Sequence, residues 1–240
     1  MTLSTESHWN EVWQFYESKE EYNNIYSRSE RAKNIIAYFI EKGVFFGSNT
    51  KVLEAGCGDG AILFELLQLF KIEGHGIDFS AVALDTARKN MALNNKYSNL
   101  ELGDVRNLPY ENDYFDRIIS LGVIEHFESP TESLKEMYRT LAPGGILILM
   151  TPNKYSFGKI DRIVKMIFKK WKFGYQTEYS VSNLEHLSKK IGCNCFYKET
   201  VLRKPLASDS RSFKLISRVD QILNVFNKNI GFYSYVFLTK

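Results

Sequence analysis

Glu54, Asp78, Asp104 and His126 are the side chains best placed for chemistry, and Gly56, Gly58 and Gly60 alternate with other residues just after the first of them. The run VLEAGCGDG (52–60) turns an apolar, strand-like stretch into one with helical spacing, Ala61, Ile62, Leu63, Leu66, Leu67 and Phe70. Glycines adopt positive φ and let a ligand approach the backbone. A helix beginning near Gly60 would aim unpaired N–H groups and the positive end of its dipole at that ligand. This is a nucleotide-type binding turn. Gly56-x-Gly58-x-x-Ala61, with Asp78 about 20 residues on to hold a ribose, also satisfies a dinucleotide fingerprint. Glu54, two residues before the first glycine, suits a cationic ligand better than a pyrophosphate. Asp104 closes a further strand-like run, Leu100 and Leu102, near where an adenine would lie.

The pattern around these residues alternates strand and helix. Strands are expected at 51–55, 73–78, 99–104, 115–121 and 145–151, with helices at 60–70, 80–95 and 131–141. Such alternation predicts an α/β protein with helices on both faces of a mostly parallel sheet. Its ligands belong beyond the carboxyl ends of the strands, where Gly56, Asp78, Asp104 and Leu121 fall. Pro143-Gly144-Gly145 reads as the turn between a helix and the strand ILILM. Further on, a helix is expected at 181–192, a strand at 193–202, a helix at 211–227 and a last strand at 232–239. The first 50 residues read as helical and aromatic, with Trp9, Trp13, Tyr16, Tyr22 and Tyr26.

FDRIISLGVIEHF (115–127) and LAPGGILILMTPN (141–153) follow the glycine turn at ordered distances. Together these motifs resemble the class I S-adenosylmethionine (SAM)-dependent methyltransferases, in the small-molecule branch that includes the ubiquinone-biosynthesis O-methyltransferases. The resemblance covers about residues 50–153 well and the rest loosely. It implies a Rossmann-like, doubly wound seven-stranded sheet whose last two strands form a hairpin, here with an extra helix spliced in. On that likeness the chain is one methyltransferase domain with four parts: a helical cap (1–50), a SAM-binding core (51–152), an inserted basic lid (153–178) and C-terminal helices with the hairpin (179–240). Glu54 and Gly56, Gly58 and Gly60 would address the methionine half of SAM, and Asp78 both ribose hydroxyls. Phe79 would pack on adenine, Asp104 with the Val105 N–H would take the adenine edge, and main chain at Leu121 would meet the amino group. Each residue has a plainer reading: Asp78 and Asp104 suit caps and turns, Phe79 suits a core, and Asp59 suits a first helical turn.

His126 is the histidine nearest the expected acceptor side. An ordinary pKa near 6.5 suits a general base at neutral pH, and a structural hydrogen bond is the plainer role. The ubiquinone-type enzymes carry Glu-x-x-Glu-His here, able to engage a divalent metal. This chain has Gly122-Val123-Ile124-Glu125-His126, so the first acid is missing and no metal is assigned. Trp9, Trp13, Tyr155, Trp171 and Tyr175 are candidates to line the acceptor pocket.

Charge is unevenly spread. Residues 1–152 hold 14 Lys/Arg against 22 Asp/Glu, and residues 153–240 hold 17 against 6. Within 158–173, Ile160, Ile163, Val164, Ile167, Phe168 and Trp171 form an apolar stripe opposite Lys159, Arg162, Lys165, Lys169, Lys170 and Lys172. A basic amphipathic helix with a Trp suits either a lid whose apolar face covers the site or contact with an anionic membrane or lipid. The start lacks a basic n-region and an apolar h-region, which points to a cytoplasmic protein, peripheral at most. The expected reaction is methyl transfer to a small-molecule hydroxyl, on a lipid-linked or saccharide acceptor. A methyltransferase acting on RNA or other nucleic acid is the first alternative, favoured by the basic C-terminal half and disfavoured because no Asn/Asp-Pro-Pro-Tyr run and no Pro-Cys pair occurs. A SAM-binding or membrane-surface module without turnover would share the same motifs, as would a nicotinamide enzyme.

Overall fold

The computed structural model describes residues 5–18, 25–203 and 211–240; the expected aromatic position Tyr22 lies outside them. Its sheet has seven strands in the order β3-β2-β1-β4-β5-β7-β6. These are β1 (Lys51–Ala55), β2 (Glu73–Asp78), β3 (Asn99–Leu102), β4 (Phe115–Leu121), β5 (Leu141–Pro152), β6 (Asn194–Val201) and β7 (Tyr233–Thr239). The first five pair in parallel, and β7 runs antiparallel to both β5 and β6. Eight helices are described: α1 (Glu6–Glu17), α2 (Ile25–Glu41), α3 (Ala61–Leu69), α4 (Ala81–Ala92), α5 (Thr131–Thr140), α6 (Gly158–Ile167), α7 (Val181–Lys190) and α8 (Arg211–Phe226). This is the Rossmann-like, doubly wound arrangement expected, with α8 inserted between the hairpin strands β6 and β7.

Successive strand residues point to opposite faces, so strands covered on both sides read as unbroken apolar runs. Leu53, Ile118, Leu147 and Leu238 pack on one face with Leu134 of α5 and Leu184 of α7. Their neighbours Val52, Ile119, Ile148 and Phe237 pack on the other with Ile36 of α2 and Leu66 of α3. Caps mark the helix starts that matter for the site. The Ser80 hydroxyl accepts from the Ala83 N–H (3.3 Å) at α4, and Ser180 with Asn183 forms a reciprocal capping box at α7.

Several boundaries differ from the expected ones by one to four residues, two of them at β3 and β5. β3 ends at Leu102, so Asp104 sits in the loop beyond it. β5 begins at Leu141 instead of after the Pro143-Gly144-Gly145 turn. The pairing with β4 jumps from Phe115↔Leu141 to Arg117↔Ile146, so the Pro-Gly-Gly segment is absorbed as an irregularity within the strand.

Candidate functional site

Chain entering the turn after β1 passes three left-handed glycines, Gly56 (φ 79°), Gly58 (φ 53°) and Gly60 (φ 69°). The Gly56 and Cys57 N–H groups donate to the Ile77 carbonyl (2.8 and 3.0 Å), tying the turn to β2. A Cβ at Gly56 would stand 2.3 Å from Val123 Cγ2, and one at Gly58 2.5 Å from Trp13 Cζ2. Backbone here is therefore bare because neighbours lie directly on it. Asp78 braces the same turn, as its Oδ2 accepts from the Gly58 N–H (2.7 Å) and its Oδ1 from the Ser80 N–H (2.9 Å). Burial pushes its pKa up, against the pull of those backbone bonds. Each carboxylate oxygen keeps a lone pair for a further donor, which suits two adjacent hydroxyls.

The start of α3 is not an open anion site, contrary to expectation. The Ala61 N–H donates to Asp59 Oδ1 (3.3 Å) and the Leu63 N–H to Glu54 Oε2 (3.0 Å). Glu54, expected at a ligand's cationic end, is thus also an internal cap for this helix. Burial drives its pKa well above the carboxylate range; the Leu63 bond opposes that shift, and the charges of Asp59 and Asp78 add to it. Arg28 of α2 pairs with Asp59 at the rim. A pyrophosphate would meet occupied helix donors and three clustered carboxylates, whereas a ligand carrying positive charge relieves their mutual repulsion. This electrostatic arrangement argues against the dinucleotide reading.

On the far side, Arg106 chelates Asp104, with Nε 3.0 Å from both carboxylate oxygens and an Nη2 contact of 2.5 Å. Burial alone would raise the Asp104 pKa; the Arg106 hydrogen bonds and charge outweigh it and hold the carboxyl low. The Arg106 guanidinium lies 5.0 Å from the Phe127 ring centroid. Glu54, Asp78, Phe79, Asp104, Val105 and Leu121 all line one cavity of about 400 Å³ together with the glycine turn. Trp9 and Trp13 of α1 line it too. Asn10 fastens that helix to α4 by accepting from the Ser80 hydroxyl (2.7 Å).

A family model described as a methyltransferase domain matches residues 46–225, well over half of the chain. The chain belongs to this methyltransferase family. A demethylmenaquinone methyltransferase of Staphylococcus haemolyticus is 27% identical over 159 residues, covering 62% of this chain and 66% of that protein. Alignments to the curated relatives span from about a quarter to about two thirds of those proteins' lengths. Among solved structures, a Haloferax volcanii methyltransferase in complex with the activator Trm112 superposes with a TM-score of 0.70 at 15% identity, covering 96% of this chain and 97% of that one. Magnesium protoporphyrin IX methyltransferase of Synechocystis, with S-adenosylhomocysteine (SAH) bound, gives 0.65 at 15% identity over 98% and 97%. Residues 46–225 are thus a class I SAM-dependent methyltransferase domain, and SAM is the cofactor of that domain.

In the methyltransferase, β4 runs into a 3₁₀ turn, Ile124–His126, that places His126 on the cavity wall. Its Nδ1 lies 2.8 Å from the Tyr175 carbonyl, so Nδ1 carries the hydrogen and Nε2 is left as an acceptor. Trp9 meets the ring edge-on, centroids 4.8 Å apart. Burial lowers the His126 pKa to about 4, against the raising effect of the Tyr175 and Phe173 backbone. The near-neutral titration expected from an ordinary histidine is thereby corrected: this imidazole stays neutral throughout the physiological range.

Its neighbour Glu125 is buried, with Oε2 lacking a hydrogen-bond partner. Burial, reinforced by Glu178, pushes its carboxyl to about 8. Among the described residues, no group of three or more His, Cys, Asp and Glu side chains is placed to hold a metal. Tyr155, Trp171 and Tyr175 are not among the cavity-lining residues, and Tyr175 acts instead through its carbonyl on His126. Arg28, Arg31 and Arg106 line the cavity without having been expected there. An arginine two residues after an acid was the one hint in the sequence, at Arg106.

Proposed function

We propose that the enzyme methylates a hydroxyl on a small-molecule acceptor, with His126 receiving the hydroxyl proton. The supporting observation is the fixed tautomer, a neutral imidazole whose Nδ1–H is held by the Tyr175 carbonyl and whose Nε2 is an acceptor on the wall of the cofactor cavity. SAM supplies a methyl group already activated on a sulfonium. In this reading Asp78 holds the ribose hydroxyls, Phe79 packs on adenine, and Asp104 with Val105 takes the adenine edge. Glu54 and the turn Gly56, Gly58 and Gly60 face the methionine half, with the main chain of Leu121 at its amino group. Clustered carboxylates stabilise the bound cation, and the roof of Trp9 and Trp13 excludes water. Alignment of donor and acceptor is the larger contribution, about 7–11 kcal/mol at best. Proton removal by a positioned base adds a factor of about 10²–10⁴, toward the lower end here because a pKa near 4 makes a weak base.

The same reading makes the acceptor small and organic, as the name of the demethylmenaquinone relative suggests by analogy. The test has two stages. Calorimetric titration with SAH and with NADH comes first, and SAH binding that disappears in Asp78→Ala supports the cofactor assignment. Methyl transfer is then measured on phenols, alcohols, amines and RNA with the wild type and His126→Gln. Transfer to hydroxyls that falls about 10²-fold in His126→Gln, with SAH affinity unchanged, supports the proposal. Transfer confined to amines, carbon acceptors or RNA overturns it.

A further inference from the structure

The inserted segment turns the opposite way from a lid. Along α6 the acid and the arginine go inward: Asp161 is 9% exposed and bound by Lys165 (2.6 Å), and Arg162 is turned in against Glu178 (2.6 Å), while Lys159 stays exposed. The apolar stripe of Ile160, Ile163, Val164, Ile167 and Phe168 faces outward instead, with Ile167 70% and Phe168 67% exposed. The expected lid, with this stripe covering the site, is therefore corrected. Helix α8, which packs against α6, repeats the arrangement. Its one acid, Asp220, is 2% exposed and accepts from the Ser156 hydroxyl (2.8 Å) and the Phe157 N–H (2.9 Å), tying the two helices together. Leu215, Ile222, Val225 and Phe226 are left exposed.

Among the described residues of 153–175 and 211–230, the exposed charges have one sign. Lys159, Lys169, Lys170, Lys172, Arg218 and Lys228 are all exposed, while both helices' carboxylates are turned in. Apolar groups on a helical surface with cations at their flanks match the acyl–headgroup boundary of an anionic bilayer, where the former insert and the latter meet phosphates. A second copy of the chain fits this face less well, because it would bring like charges together. No described helix is long and apolar enough to cross a membrane, so the contact is interfacial. We propose that the α6–α8 face docks this enzyme on an anionic lipid surface. Chain leaving α6 continues to Tyr175, the residue that fixes His126, so docking sets the acceptor side of the site next to the lipid.

The experiment is co-sedimentation of the full chain with phosphatidylcholine vesicles, with and without phosphatidylglycerol. Binding is expected to the anionic vesicles and to weaken as salt rises. Ile167→Asp with Phe168→Asp should lose about tenfold or more of it, and Lys169→Glu with Lys170→Glu should lose the anionic preference. SAH calorimetry in solution checks that each variant is folded, and its result does not depend on the vesicles. Three outcomes overturn the proposal: no binding to anionic vesicles at low salt, equal binding by the variants, or sedimentation velocity showing a dimer that Ile167→Asp dissolves.

Discussion

Asp78 serves two partners, holding the Gly58 and Ser80 N–H groups while keeping lone pairs for a ligand. Asp78→Asn preserves the shape but offers one fewer acceptor and an NH₂ group facing backbone donors. The expected loss in SAH binding is about 1.5–3 kcal/mol, read by calorimetry. Gly58→Ala should weaken binding as well, since the residue sits at φ 53° and its Cβ would press on Trp13. Glu125 and His126 make stability depend on pH in opposite senses. His126, with a folded pKa of about 4 against 6.5 unfolded, costs stability as pH falls through that window, because the unfolded chain binds the proton more readily. Glu125, at about 8 folded against 4.5 unfolded, holds its proton better in the fold, so the stability it contributes is lost as pH rises toward 8. Between about pH 6.5 and 8 the Glu125 effect acts without opposition from His126, at up to about 1.4 kcal/mol per pH unit. Urea midpoints at pH 6.5 and 8 should therefore drop further in the wild type than in Glu125→Gln, whose isostere has no proton to lose.

Helix α1 roofs the proposed cofactor cavity, with Trp13 on the bare backbone of Gly58 and Asn10 clasping Ser80. Trp13→Ala is expected to raise the SAH dissociation constant about tenfold while leaving the unfolding midpoint nearly unchanged, because α1 stands outside both main clusters of the core. A comparison of calorimetry with thermal unfolding separates the two effects. Strand and helix identity was readable at this scale, since a strand covered on both faces must be apolar throughout and the glycine turn marks where β1 ends. The facing of α6 was not. Its stripe established two unlike faces, but the inward one is chosen by Asp220, far away in sequence, and by Glu178 beyond the helix, which anchor Ser156 and Arg162. The Glu54 cap on Leu63 and the Arg106 clamp on Asp104 escaped for a similar reason. A carboxylate's residue type shows that it can accept a hydrogen bond, and only the fold shows which donor reaches it first.

At the scale of the molecule, the proposed cofactor cavity lies between α1, α2 and the carboxyl ends of the parallel strands, so its occupancy would couple to global unfolding. SAH at 100 times its dissociation constant should add about 2.7 kcal/mol. For a chain of this size that corresponds to a rise of roughly 5–11 °C in the thermal midpoint, measurable by calorimetric scanning. The strand order carries one more consequence. β7 lies between β5 and β6, although β6 comes well before it in the chain and α8 intervenes. Until residues 233–239 arrive, β5 is an open edge and β6 has no neighbour in the sheet, so neither can bury its backbone polar groups against the other. Newly made chain must hold a cofactor-binding half with a raw hydrophobic border while it waits for that one segment. Folding of this enzyme is therefore gated by an insertion event of long sequence reach, and the interval before it is when the protein is most exposed to aggregation and to chaperones.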